Sequence, residues 1–154
     1  MNTNEAEASY YDEAYFERGW ERGTAYNNYA RTALRNPTSR EIANAVIEIF
    51  RPKCVLEIGC ATGAIVRHLN DLGVEAHGID VSEWAVQNRL HENVHCAGAD
   101  SLPFPDGKFD LVISSHSLEH IPTAMLDVSL AEISRVIHAG GRQFHMLPIV
   151  GTYP

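Results

Sequence analysis

From residue 54 onward the apolar positions alternate between two rhythms. CVLEI (54–58) is a short continuous apolar run, the pattern of a strand buried on both faces. Ile65, Val66, Leu69 and Leu72 then recur at helical spacing, and Gly73 closes that helix. VEAHGID (74–80) reads as a second strand, and Ser82 as the cap of a helix running through Trp84 to about Leu90. NVHCAG (93–98) makes a third strand, LPFPDGK a turn, and FDLVIS (109–114) a fourth strand. Leu126, Leu130, Ile133 and Ile137 mark a further helix, stopped by Gly140-Gly141, and RQFHMLPIV (142–150) forms a fifth strand. Upstream, Ile42, Val46, Ile49 and Phe50 predict a helix that Thr38 and Glu41 open as a capping box and Arg51-Pro52 ends. Strands and helices in alternation predict an α/β fold, a Rossmann-like doubly wound parallel sheet with helices on both faces.

The first 37 residues have a different texture. Five of the six tyrosines (Tyr10, Tyr11, Tyr15, Tyr26 and Tyr29) fall here, with Phe16 and Trp20, among many acidic residues. No clean period runs through them. Residues 1–37 are therefore expected to form an irregular or partly helical arm, ahead of one domain over residues 38–154. Tyrosines with an apolar ring and a polar tip suit a lid that keeps water from a site.

The 154-residue chain carries 12 Lys+Arg against 20 Asp+Glu, a formal charge of −8. Nucleic-acid affinity rests on phosphate contacts, so an acidic chain without a basic cluster is not expected to bind nucleic acid; a cationic ligand suits it better. No stretch approaches the ~18 apolar residues of a membrane span, and the N-terminus lacks the basic start and apolar core of a signal peptide, so a cytoplasmic location is expected. Cys54, Cys60 and Cys96 show no Cys-x-x-Cys spacing and lie in or beside apolar segments, where buried reduced thiols are expected.

Chemistry concentrates where the first strand meets its helix, in EIGCATGA (57–64). Gly59 and Gly63 lack a Cβ, so the loop can turn sharply and a ligand can approach its backbone. The helix start beyond it offers unpaired N–H groups. Asp80 ends the second strand about 20 residues on, where a carboxylate can accept both hydroxyls of a ribose. These features point to a nucleoside-containing cofactor.

VLEIGCATG, HGIDVS, AGADSLPFPDGKFDLVISSHSLEHI and LAEISRVIHAGGRQ, in that order over residues 38–150, resemble the motifs of the class I S-adenosylmethionine-dependent methyltransferases. The resemblance implies S-adenosyl-L-methionine as cofactor, S-adenosyl-L-homocysteine as product and in-line methyl transfer; a small-molecule acceptor is expected because the sequence shows no basic surface or recognition module. It implies that Glu57, Gly59, Cys60 and Gly63 surround the methionine end and that Asp80 holds the ribose. Val81 would pack on adenine, Asp100 would accept from its amino group, and the Ser101 and Leu102 backbone would lie beside the ring. Ser115 and His116 would line the floor near the sulfonium, and His116 and His120 are the catalytic candidates, His120 as acid/base. The family's usual second loop glycine is Ala61 here, and its usual Lys-Pro before the double glycine is His138-Ala139. The family's sheet has two more strands, an antiparallel hairpin not seen in this sequence; a second copy or a partner chain would then cover the open edge.

HSLEH (116–120) also fits the H-x-x-E-H pattern of zinc peptidases. It follows a buried strand directly, Ile121-Pro122 ends any helix within about a turn, and no metal is expected there. A nicotinamide dehydrogenase shares the strand–loop–helix–acid layout, but it wants G-x-G-x-x-G where this loop offers G-x-A-x-x-A. A non-catalytic cofactor-binding or scaffolding remnant is the remaining alternative.

Overall fold

The computed structural model describes residues 8–148. Residues 1–7 of the expected arm, the end of the fifth expected strand and the last residues of the 38–154 domain lie outside the described residues. Five strands form one sheet: β1 (Cys54–Ile58), β2 (Glu75–Asp80), β3 (Val94–Cys96), β4 (Phe109–Ser115) and β5 (Ile137–Met146). Their spatial order is β3-β2-β1-β4-β5, with every pair parallel. The chain winds outward from β1 through β2 to β3, then returns to β1's other side for β4 and β5. The order therefore reverses between β1 and β4, and a crevice opens there at the carboxyl ends of the strands.

The period-two alternation of the strands divides the core between the two faces. Val55, Leu111 and Ile113 meet Ala43 and Val46 of helix α3 (Pro37–Phe50) and Ile65, Val66 and Leu69 of helix α4 (Ala64–Asp71). Leu56, Ile58, Ile79 and Val112 meet Ile133 and Val136 of helix α6 (Thr123–Val136) on the other side. Helix α5 (Glu83–Gln87) follows β2, and its cap is the expected Ser82, whose hydroxyl accepts from Ala85 N. It ends at Gln87, short of the predicted Leu90. The arm holds helices α1 (Glu13–Glu17) and α2 (Tyr29–Thr32) with 3-10 turns between and after them.

Two expectations are corrected. Helix α3 is capped by Asn36, whose side chain accepts from Thr38 N, with Pro37 at the first helical position; Thr38 and Glu41 already lie inside the helix. Proline is preorganised for that position, so the cap belongs to the residue before it. Helix α6 ends at Val136 rather than at the double glycine. Ile137 is claimed by the sheet, where it pairs with Phe109, and Gly140-Gly141 falls inside the irregular start of β5 before Leu111 pairs with Arg142. The buried stripe of α6 is accordingly Ser129, Ile133 and Val136, while Leu130 is exposed.

Helix α6 also fixes the loop between β3 and β4. Glu132 accepts from Leu102 N, while Arg135 donates to Leu102 O, Phe104 O and the Asp106 carboxylate. Hydrogen bonds from Arg135 and then from Leu102 N hold the Glu132 carboxyl down to about 2. β5 forms the outer strand beside β4, with no further strand paired to it among the described residues. Replacing Asn36 by Ala should lower stability by ~1 kcal/mol in denaturant unfolding, the loss of a helix cap, whereas Thr38→Ala should change it by less than half as much. The reverse ranking would restore Thr38 as the cap.

Candidate active site

The crevice at the switch point is a cavity of about 590 Å³. Its floor is built from the carboxyl ends of β1 to β4 and its roof from the arm. β1 and β2 are paired with Glu57 opposite Gly78 and Ile58 opposite Ile79, so the two strand ends advance together. Gly78 is needed at this pairing, because a Cβ there would lie 2.5 Å from Cys60 Sγ and 2.8 Å from Val66 Cγ2. The bare backbone of β2 thus lets the loop after β1 fold down over it.

Glu57 is buried, lines the cavity, and its Oε2 has no hydrogen-bond partner. Burial, and after it the Asp80 charge, push its carboxyl up to about 8. Asp80 is tied to the loop: its Oδ2 accepts from Ala61 N at 2.7 Å and its Oδ1 from Ser82 N at 2.9 Å. Its carboxyl is raised by burial, against the lowering by these backbone N–H groups. Ala61 sits at φ 50°, a left-handed conformation in which glycine is unstrained, which gives the family's usual glycine at this position a physical basis.

Gly59 lines the cavity and also has a role in the fold. A Cβ at this residue, held at φ 68°, would lie 2.4 Å from Ser117 Cβ, so the missing side chain makes room for Ser117. Ser117 in turn donates from its hydroxyl to Ile58 O at 2.7 Å, joining the loop after β4 to the end of β1. No pattern in the sequence marked Ser117. His116 is held at φ 52° with its N–H donated to Met146 O, and its ring projects into solvent at the rim. Its Nδ1 lies 3.6 Å from Glu119 Oε1. Leu118–His120 is a single 3-10 turn, not the longer helix a zinc peptidase needs. His120 lines the cavity with its ring edge-on to Tyr11, centroids 6.4 Å apart.

Ser115, Cys60, Val81, Asp100 and Ser101 also reach the cavity wall. Gly63 and Leu102 do not. Gly63, at φ 81°, starts α4 where a Cβ would strike Val94 Cγ2 at 2.4 Å, and Leu102 is packed in the core with its N–H and C=O both engaged by α6. Of the cysteines only Cys60 is fully buried; Cys54 is half-buried and Cys96 exposed, because β3 stops at that residue on the sheet edge.

The roof is aromatic. Tyr11, Tyr15, Phe16, Tyr26 and Tyr29 line the cavity, and burial raises the Tyr15 and Tyr29 phenols above their ordinary range. Phe16 stacks on Trp84 of α5 with centroids 5.0 Å apart, and Ser82 donates its hydroxyl to Tyr11 O, fastening the arm beside Asp80. No Lys or Arg lines the cavity among the described residues, whereas Glu57, Asp80 and Asp100 do. The cavity favours a neutral or cationic ligand.

Residues 56–144 match the family model described as a methyltransferase domain. The chain is 38% identical over 101 residues to the chloroplastic tocopherol O-methyltransferase of Arabidopsis thaliana, covering 58% of this chain and 28% of that protein. It is 35% identical over 94 residues to the mitochondrial arginine-hydroxylase NDUFAF5 of Rattus norvegicus, covering 57% of this chain and 27% of that one. The chain thus spans little more than a quarter of either relative. Among solved structures, the CcbJ methyltransferase from Streptomyces caelestis superposes with a TM-score of 0.58 at 23% identity, over 70% of this chain and 47% of that one, a likeness of fold.

A buried acid that prefers its proton leaves a pH signature. Folded Glu57 keeps a proton up to about 8, whereas the unfolded chain releases it near the ordinary 4.5. Its contribution to stability is therefore fully present below 4.5 and lost as pH rises through about 8. The ligand-free Glu57→Gln variant should gain melting temperature relative to the parent as pH rises across this window. A constant difference at all pH values would mean that folded Glu57 ionises at its ordinary 4.5.

Proposed function

The chain belongs to the methyltransferase-domain family, and from that premise we propose that it binds S-adenosylmethionine and transfers its methyl group to a small-molecule acceptor. The observation that carries this reading is the unpartnered Glu57 Oε2 on the wall of a cavity that offers three carboxylates and no Lys or Arg among the described residues. An orphaned buried oxygen costs about 1–3 kcal/mol unless a ligand donor or cation meets it. The residues present therefore fit a cationic, phosphate-free nucleoside cofactor. When bound, S-adenosylmethionine supplies a methyl group activated on a sulfonium.

The remaining roles belong to the chain itself. Glu57, with Gly59 and Cys60 beside it, would hold the methionine end. The Asp80 oxygens, each already accepting one backbone N–H, keep lone pairs for ribose hydroxyls. Val81, Asp100 and Ser101 would frame the adenine. Gly63 and Leu102 would act through packing, one by setting the start of α4 and the other by anchoring the adenine-side loop to α6. The arm would exclude water and hold the acceptor against the cofactor, supplying the proximity that is worth up to ~7–11 kcal/mol in a displacement. His116 and His120 stand at the rim as candidate bases for an acceptor that must lose a proton, a gain of ~10²–10⁴-fold where one is used.

Replacing Asp80 by Ala should weaken S-adenosylhomocysteine binding by ~1.5–3 kcal/mol through loss of charge-assisted hydrogen bonds, with the sheet still folded by circular dichroism. Unchanged affinity would remove Asp80 from the site. Methyl transfer measured on the same preparation separates an enzyme from a module that only binds the cofactor.

A further inference from the structure

The cavity leaves one cluster of reactive side chains unused, at the opposite end of the sheet. β1 and β2 pair with Cys54 opposite Glu75 and Leu56 opposite His77, so Cys54, Glu75 and His77 project from one face near the amino ends of the two strands. A thiol sulfur, a carboxylate oxygen and an imidazole nitrogen from these three residues all lie within 4.8 Å of one another. Something positive already occupies their meeting point: Lys108 Nζ is 2.9 Å from His77 Nε2 and 3.5 Å from Glu75 Oε1. Its ammonium also lies 5.4 Å from the ring centroids of both Phe104 and Phe109. The place is built to hold a cation.

We propose that Cys54, Glu75 and His77 form a binding site for a thiophilic divalent cation of the zinc type, which Lys108 occupies by proxy when no metal is bound. Sulfur, nitrogen and carboxylate oxygen are the donor types zinc takes, at ~2.0–2.3 Å each, which sets the donors ~3.3–3.8 Å apart around the ion. The three donor atoms, all within 4.8 Å of one another, exceed the upper end of that spacing by about 1 Å at most. Lys108 follows the Asp106-Gly107 turn, its side chain is a quarter exposed, and its four-carbon stem can carry the ammonium out to water. The Glu75 side chain is 56% exposed, which leaves the ion a route in. His95 stacks on His77 with centroids 6.1 Å apart and brings a second imidazole beside the three donors.

Proton bookkeeping is simple. Without metal the Cys54 side chain is a half-buried free thiol. Coordination converts the thiol to a thiolate, and the displaced proton leaves to solvent. The metal would clip β1 to β2 far from the cavity. Its role would be stability, independent of the methyl-transfer reading.

The test uses the full chain, treated with chelator and carrying no metal-affinity tag. Titration with zinc chloride should show one ion bound per chain with proton release, and a higher melting temperature. Cobalt(II) should give a sulfur-to-metal charge-transfer band that Cys54→Ser removes. Lys108→Met should tighten zinc binding about tenfold by removing the competing ammonium. Absence of stoichiometric binding in both the parent and Lys108→Met would overturn the proposal. So would binding that survives Cys54→Ser and His77→Gln in folded protein, or that is lost on changing His116 and His120, since either result would place the metal elsewhere.

Discussion

The parallel pairing of β1 with β2 carries two acids, Glu57 and Asp80, to the same end of the sheet, and the structure around them answers to that charge. Asp80 is satisfied from within, by the N–H groups of Ala61 and Ser82. Glu57 is not: one oxygen stays buried without a partner. Each neighbouring feature follows from arranging these two groups. Gly78 lets Cys60 settle on β2, and Ala61 takes a left-handed backbone that brings its N–H to Asp80. Ser82 then links that carboxylate to the start of α5 and to the arm. Moving any of these would either leave Asp80 unpaired in low dielectric or open Glu57 to water.

Much of this was legible in the sequence because burial and backbone period are coupled. A strand covered on both faces has to be a continuous apolar run, so β1, β2 and β4 stood out with boundaries within about a residue. Asp80 and Glu57 were legible because an acid at the end of such a run has little structural reason to be there. The misses have a common cause: contacts between residues far apart in the chain. Ile137 looks helical by spacing from Ile133, yet pairing with Phe109 draws it into the sheet. Gly59 lines the cavity, but that its bare backbone also makes room for Ser117, 58 residues later, depends on the fold. Gly63 and Leu102 belong to motifs around the site without reaching its wall. The tyrosines of the arm carry no period, and only the folded chain shows which of them face the cavity.

The loop after β4 is less regular than the sheet it follows. His116 is forced into a left-handed backbone by the tight turn after β4, with Ser117 locked under it and its own N–H spent on β5. Such positions persist where surrounding contacts over-determine them. The same turn makes HSLEH a single 3-10 turn, in which His116 Nδ1 lies 3.6 Å from Glu119 Oε1 and the His120 ring meets Tyr11 edge-on. The relatives bear methyl-transfer and hydroxylation names at similar identity, so membership of the family defines the sheet and its crevice and not the chemistry at the acceptor.

The central claim is that Glu57 is kept buried for the sulfonium cation that the proposed cofactor carries. Calorimetric titration of S-adenosylmethionine and S-adenosylhomocysteine, which differ in the charge on sulfur, tests it directly when run on either side of the Glu57 ionisation at about 8. Binding of the sulfonium should favour ionised Glu57, so its affinity relative to the thioether should rise with pH through that value and stay flat in Glu57→Gln. A ratio that does not change with pH in the parent protein, or that changes equally in the variant, would contradict the account.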